Sequence, residues 1–109
     1  MESINKVEIK GVVGSVRVFD ESEGKVARFS VATNECFKNR DGAEWVETTW
    51  HNVTAWNKPG VENIETINKG DTVHLFGHLR AHTYVDPNGC DRAITEVVAD
   101  RLEIHVNDL

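Results

Sequence analysis

The amino-acid sequence predicts an all-β protein, a five-stranded Greek-key barrel with one short helix between strands 3 and 4. Three observations support this prediction. Five segments of the 109-residue chain alternate apolar and polar side chains with the period of a half-buried strand. The first of these segments contains glycines where a barrel strand has to bend. One helix-like segment separates the third strand from the fourth.

The first strand is predicted over residues 6–14, where Val7 and Ile9 alternate with charged residues before Gly11 and Gly14. A strand bends readily where glycine removes the side chain, as at a barrel corner. Residues 19–24 are mostly polar and include three acids, which predicts a turn.

The second strand carries Ala27, Phe29 and Val31 on one face, which predicts a core face. This strand continues to Phe37, which has the same parity as Phe29. Phe37 therefore reaches the outer face only if a β-bulge lies nearby. Residues 38–43 contain an Asp-Gly pair, which is typical of a hairpin loop.

The third strand, residues 47–56, has two unlike faces. The core face is Thr49, His51, Val53 and Ala55, and the other face is Trp50, Asn52, Thr54 and Trp56. Tryptophans among short polar residues suit the stacking of unpaired bases, which is worth roughly 1–3 kcal/mol per base. The alternative is that both rings are buried in a second layer or a subunit interface.

A helix is predicted within residues 58–70. Pro59 suits the first turn, Val61, Ile64 and Ile67 line one side, and Gly70 supplies the stop.

The fourth strand is predicted over residues 71–79. Arg80, His82 and Tyr84 then share one phase and lead into a Pro-Asn-Gly turn at 86–89. The fifth strand follows from residue 92 to residue 106. Five strands, early bends and a single helix after the third strand predict a small barrel of the OB type.

Length and composition indicate one soluble globular domain spanning residues 1–109. The N-terminus lacks a signal-peptide pattern, and Cys36 and Cys90 do not form a disulfide framework, so we expect a cytoplasmic location. The formal net charge of −6 favours base stacking over phosphate neutralisation as the source of any nucleic-acid affinity. The histidines and cysteines have no metal-site spacing, and no base-and-nucleophile pair is evident, so we predict no metal, no cofactor and no enzymatic activity.

Several ordered motifs then point to a family. They are NKV at 5–7, FSVATNE at 29–35, TWHNV at 49–53, NKGDTV at 68–73, GHLR at 77–80 and DRAITEV at 91–97. In order and spacing they resemble the OB-fold domain of bacterial single-stranded DNA-binding protein, over roughly residues 4–105. The resemblance implies sequence-independent binding of single-stranded DNA in replication, recombination or repair, and a nucleoid-associated homotetramer, with a dimer as the alternative.

The resemblance also implies site residues. The stacking aromatics would be Phe37, Trp50, Trp56 and Tyr84, and the phosphate contacts would be Arg80 and Arg92, with Lys6 and Lys38 flanking the groove. Trp45, placed in the loop before the third strand, has no settled counterpart. His51 matches a position associated with subunit contacts, or is a satisfied core histidine.

The chain departs from the family in three ways; the acidic balance and the missing tail favour a second function, whereas the retained aromatic residues favour DNA binding more strongly. The hairpin after strand 4 is less basic than in the family, and Asp20, Glu21 and Glu23 in the first long loop would repel phosphate. The chain ends at Leu109 without the acidic tip through which family members recruit replication proteins, so recruitment through a tail is not expected. The alternative function is an OB-fold protein-interaction module of a replication or primosome assembly, similar to primosomal replication protein N, with weak nucleic-acid binding.

Overall fold

The computed structural model describes residues 1–22 and 24–106. Five strands and one short 3-10 helix follow each other along the chain. They are β1 (Val7–Glu21), β2 (Gly24–Lys38), β3 (Glu44–Trp56), η1 (Ile64–Thr66), β4 (Thr72–Val85) and β5 (Asp91–His105). The strands close into a barrel in the order β1-β2-β3-β5-β4, which confirms the predicted fold class.

The barrel closes through one short parallel contact. Four of the neighbouring pairs are antiparallel, whereas β3 and β5 run parallel and pair only at Val53 with Val97 and at Thr54 with Val98. The β2–β3 hairpin and the β4–β5 hairpin therefore meet near their bases.

The core consists largely of inward-facing side chains that the period of two predicted, but on β3 only Val53 and Ala55 of the predicted core face are buried, while Thr49 is exposed and His51 is partly exposed. The buried apolar set includes Ile9, Val13, Ala27, Phe29, Val31, Val53, Ala55, Val73, Leu75, Val97, Ala99 and Leu102. Two strands bend to close around this core: β1 shifts register between Val13 and Val16, next to Gly14, and β4 shifts between Phe76 and Gly77. A side chain at Gly77 would overlap the carbonyl oxygen of Val98, so this bend requires glycine.

Three boundaries differ from the prediction. β1 continues through Glu21, so residues 19–21 belong to a strand and not to a turn; Ser22 is the described part of the turn, and Glu23 lies outside the described residues. Trp45 lies inside β3 and not in the preceding loop, and β4 continues past residue 79 to Val85. In each case cross-strand pairing extends the hairpin further than the composition indicated.

The helix predicted within residues 58–70 is a single 3-10 turn, Ile64–Thr66. Its apolar side chains are buried as expected, but the preceding backbone is used for pairing with β5: Leu102 N–H donates to the Gly60 carbonyl, and Glu62 N–H donates to the Leu102 carbonyl. Gly60 also has φ of +92°, which a right-handed helix excludes.

The expectations about the end of the chain concern residues 107–109, which lie outside the described residues. No helix in the described part of the chain is long and apolar enough to span a membrane.

Candidate nucleic-acid interface

A shallow cleft of about 340 Å³ lies on the outside of the barrel, where the β2–β3 and β4–β5 hairpins diverge. Small polar, apolar and charged side chains all contribute to its floor and walls. The lining includes Arg28, Ser30, Asn52, His82, Ile94 and Glu96. The predicted outer face of β3 thus forms one side of the cleft.

Trp50 borders one end of this cleft. Its side chain is 57% exposed, so the ring is not buried inside the monomer. A Cβ added at Gly14 would overlap the Trp50 ring and also approach Ser30 Oγ, because the indole lies directly over the Gly14 backbone. Ser15 and Ser30 hydrogen-bond to each other beside it, with 3.1 Å between their Oγ atoms. The Trp50 ring therefore packs against the backbone of β1 at its bend.

Trp56 lies at the other end of the cleft and is half-buried. The Arg80 guanidinium carbon is 5.3 Å from the centroid of its ring, within cation–π range. Arg80 in turn donates from Nε to Glu96 Oε1 at 3.0 Å, and from Nη2 to the same oxygen. Thr54 Oγ1 donates to Glu96 Oε2 at 2.7 Å, which explains why Thr54 is buried although it belongs to the outer face.

Glu96 is ionised under these contacts. Burial raises the pKa of its carboxyl, but the hydrogen bonds from Thr54 and Arg80, together with the positive charges of Arg80 and Arg28, outweigh that effect and hold the pKa below its ordinary value. The positive charge of Arg80 is therefore compensated by a buried carboxylate.

Tyr84 continues the same face along the β4–β5 hairpin. Arg80 pairs with Glu96, His82 with Ile94 and Tyr84 with Arg92, two residues further each time, so all six lie on one face. Tyr84 is 45% exposed. Arg92 Nε donates to Asp86 Oδ2 at 2.8 Å, and this contact, with the Cys90 N–H, lowers the pKa of Asp86. Both predicted arginine contacts are thus engaged in ion pairs.

Phe37 lies away from the two cleft tryptophans. The β2–β3 pairing is regular from Val26 opposite Trp56 to Lys38 opposite Glu44, so the bulge that would bring Phe37 to the Trp50 face is not present along these paired residues. Phe37 instead stacks on its cross-strand partner Trp45, with centroids 5.6 Å apart and 19° between the planes. This pair occupies the opposite face of the hairpin near its tip.

The two predicted lysines are also separated. Lys38 ends β2 beside the Phe37–Trp45 pair. Lys6 precedes β1 and borders a different cleft, of about 520 Å³, together with Glu8, Phe76 and Arg101. The structure thus places Trp50 and Trp56 on either side of the cleft along β3, with Arg80 on Trp56, and places Arg80, Tyr84 and Arg92 on one face of the β4–β5 hairpin. Phe37, Lys38 and Lys6 lie elsewhere.

Sequence reasoning had placed Asn52 and His82 on this face but missed Arg28, Ile94 and Glu96 as cleft residues. Arg28 lies opposite Thr54, its guanidinium carbon is 5.3 Å from the centroid of the Phe19 ring, and its charge also acts on the Glu96 carboxylate. The cross-strand register brings these three residues to the cleft, and single-strand periodicity does not give that register.

The histidines form no common site. His51 Nε2 lies 2.9 Å from Thr33 Oγ1 and is partly exposed, a geometry that suits either interpretation of this residue. His74 contacts Glu8, and His78 contacts Asp100. Across residues 1–22 and 24–106, no group of three or more His, Cys, Asp or Glu could hold a metal ion.

A closed five-stranded Greek-key barrel with exposed aromatic side chains beside an outer cleft is typical of OB-fold proteins. The sequence profile of the Single-strand binding protein family matches residues 4–105. The chain belongs to this family.

Individual relatives agree. The chain is 35% identical over 111 residues to the mitochondrial single-stranded DNA-binding protein of Danio rerio, covering 93% of the chain and 75% of the relative. It is 36% identical over 107 residues to the single-stranded DNA-binding protein of Bacteroides thetaiotaomicron, covering 94% of the chain and 66% of the relative. The Plasmodium falciparum protein, solved as a complex with single-stranded DNA, superposes with a TM-score of 0.80 at 28% identity, covering 99% of this chain and 98% of that one.

Proposed function

We propose that this protein binds single-stranded DNA by stacking bases on aromatic rings beside the outer cleft, without enzymatic activity and largely without regard to sequence. The observation that supports it most directly is the position of Trp50. The Trp50 ring packs on Gly14, yet the residue is 57% exposed, in a chain that belongs to the Single-strand binding protein family. The small polar groups between the tryptophans, Ser30 and Asn52, offer donors and acceptors without dictating one base.

Stacking supplies most of the affinity in this proposal. Net charge is −6, and Arg80 and Arg92 are each neutralised by a carboxylate. Arg28 is the cleft cation best suited to reach a phosphate, and Lys38 serves the same role near the hairpin tip. The DNA would run from Trp56 past Trp50, about 20 Å along β3, with Tyr84 stacking from the β4–β5 hairpin. Phe37 and Trp45 lie on the opposite face of the β2–β3 hairpin, so they would receive a base where the strand passes around the hairpin tip.

The cellular setting follows from the family. We propose one single-stranded-DNA-binding domain over residues 1–109, acting in replication, recombination or repair in the bacterial cytoplasm at the nucleoid, alongside other replication proteins. A homotetramer, or a dimer, is the proposed assembly, and exposed apolar side chains away from the cleft, such as Phe76, support self-association.

The experiment is a titration with oligo-dT at low and moderate salt, followed by intrinsic tryptophan fluorescence. We expect quenching and a shallow salt dependence. Trp50→Ala with Trp56→Ala should weaken binding by about 2–6 kcal/mol, taking 1–3 for each base lost, while circular dichroism shows a folded barrel. Val106→Ala, at an exposed residue just after β5, is the control and should bind as the wild type does.

A second candidate is the protein-interaction module, favoured by the ion-paired state of Arg80 and Arg92. Unchanged fluorescence at micromolar oligo-dT and low salt would support it and reject DNA binding.

A further inference from the structure

Thr54, Trp56, Arg80 and Glu96 form one connected unit at the end of the outer cleft, which we call the Arg80 unit. Arg80 and Glu96 are direct cross-strand partners on β4 and β5. Glu96 is 6% exposed and accepts hydrogen bonds on both carboxylate oxygens, from Thr54 at 2.7 Å and from Arg80 Nε at 3.0 Å. The guanidinium is therefore held at a fixed place while it lies over the Trp56 ring.

This arrangement is poorly suited to phosphate binding. A phosphate that took Arg80 away from Glu96 would leave a nearly buried carboxylate without its cation, and an uncompensated buried charge is strongly unfavourable. The Arg80–Glu96 pair also has no net charge, so it releases few counterions when DNA binds. Arg28 differs in this respect: its charge also acts on the Glu96 carboxylate, but it donates no hydrogen bond to that group among the described contacts, and it lines the cleft.

The geometry points to a different role: we infer that Arg80 is a positioning residue for base stacking, held by Glu96 so that its guanidinium fixes the Trp56 ring for a nucleobase. This inference rests on the proposed function. A planar guanidinium can lie on an aromatic ring while donating two hydrogen bonds to one carboxylate, and a lysine ammonium cannot reproduce that combination. The affinity that Arg80 contributes is accordingly almost independent of salt.

The test compares Arg80→Lys and the double variant Arg80→Gln with Glu96→Gln against the wild type in oligo-dT titrations between 50 and 200 mM salt, a range over which phosphate contacts show clearly. Both leave the net charge unchanged. We expect each to weaken binding roughly three- to tenfold and to leave the slope of log K against log salt as it is. Arg28→Gln is the comparison, and should make the slope shallower by about 0.7, the value for one phosphate contact on a single strand.

Two results would overturn the inference. One is that Arg80→Lys binds as tightly as the wild type. The other is that the double variant loses about 0.7 from the slope, because Arg80 would then be a phosphate contact. Thermal unfolding checks that each variant is folded, and Arg80→Lys serves as the test if the double variant does not fold.

A measurement without DNA separates this inference from the proposed function. The chain has three tryptophans, so Trp56 is the remaining one in a Trp45→Phe, Trp50→Phe background. Adding Arg80→Lys should increase acrylamide quenching of Trp56. Unchanged quenching rejects the positioning role, whereas a wild type that fails to bind oligo-dT rejects the proposed function instead.

Discussion

The Trp50 ring packs directly against the backbone of Gly14. Gly14 is in β1 and Trp50 in β3, and the indole occupies the volume that a side chain at residue 14 would need. Gly14 also lies at the register shift of β1. It therefore both permits the bend and leaves space for the Trp50 ring.

Gly14→Ala should therefore displace the Trp50 ring and weaken oligo-dT binding by about as much as Trp50→Ala, roughly 1–3 kcal/mol. The ring is exposed and can swing outward, so we expect the unfolding temperature to change little. The control is a double-mutant cycle: in a Trp50→Ala background, Gly14→Ala should have no further effect on affinity. An additive loss would mean that Gly14 acts independently of the ring.

The Glu96 carboxylate makes stability depend on pH. Its pKa is lower in the folded protein than the ordinary value of 4.5, so its contribution is present above pH 4.5 and is lost as the pH falls through the folded pKa. Glu96→Gln should flatten the decline of unfolding temperature between pH 6 and pH 3, as followed by circular dichroism. Part of the decline in unfolding temperature should remain in Glu96→Gln, because the pKa values of Asp86 and Asp100 are also lowered in the folded protein. The control is Glu35→Gln, at an exposed residue of β2, whose unfolding temperature should fall with pH as steeply as that of the wild type.

At the scale of elements, the segment between β3 and β4 shows how tertiary pairing overrides a local pattern. Val61, Ile64 and Ile67 have a spacing that fits a helix, and all three are buried. Asn63 caps the 3-10 turn by accepting from the Glu65 N–H, while residues 60–62 pair with β5. The apolar spacing predicted which side chains are buried but not the backbone that buries them, because β5 offers hydrogen bonds that the segment alone does not reveal.

Substitutions at Gly60 distinguish the observed turn from a helix. With φ of +92°, Gly60→Ala should destabilise the protein by about 1–2 kcal/mol, since a Cβ is disfavoured there. Gly60→Asn should cost less, because asparagine tolerates this region better. Urea unfolding should rank the three as Gly, then Asn, then Ala. A helix would reverse the order and place Ala first by about 1 kcal/mol over Gly.

The hairpins mark the limit of what the sequence could predict about the site. Parity within β3 was sufficient to put Trp50 and Trp56 on the outer face. Parity within one strand does not predict contacts between strands. The stacking of Phe37 on Trp45 and the neutralisation of Arg80 both depend on which residues lie opposite each other. A family resemblance supplies residue types at positions, but it does not show that Glu96 lies opposite Arg80, because that depends on the cross-strand register.

At the scale of the whole molecule, charge and exposed apolar surface act in opposite directions on assembly. A net charge of −6 on each copy opposes association, so a stable oligomer needs buried apolar area to compensate. Phe76 offers such area. It is 43% exposed on the outside of β4, contacts His74 with ring centroids 4.9 Å apart, and lines a cleft that shares none of its residues with the tryptophan-flanked cleft.

Phe76→Glu should therefore reduce the solution mass from the proposed tetramer or dimer towards a smaller species, measured by light scattering after size-exclusion chromatography. The added carboxylate would meet its symmetry mate across an isologous contact, where like charges repel. Val46→Glu introduces the same charge at a residue that is 60% exposed near the β2–β3 tip, and should leave the mass unchanged. Equal masses for the wild type and Phe76→Glu would exclude this face as the contact. Because the mass is measured without DNA, the result bears on assembly whether or not stacking at Trp50 and Trp56 is correct.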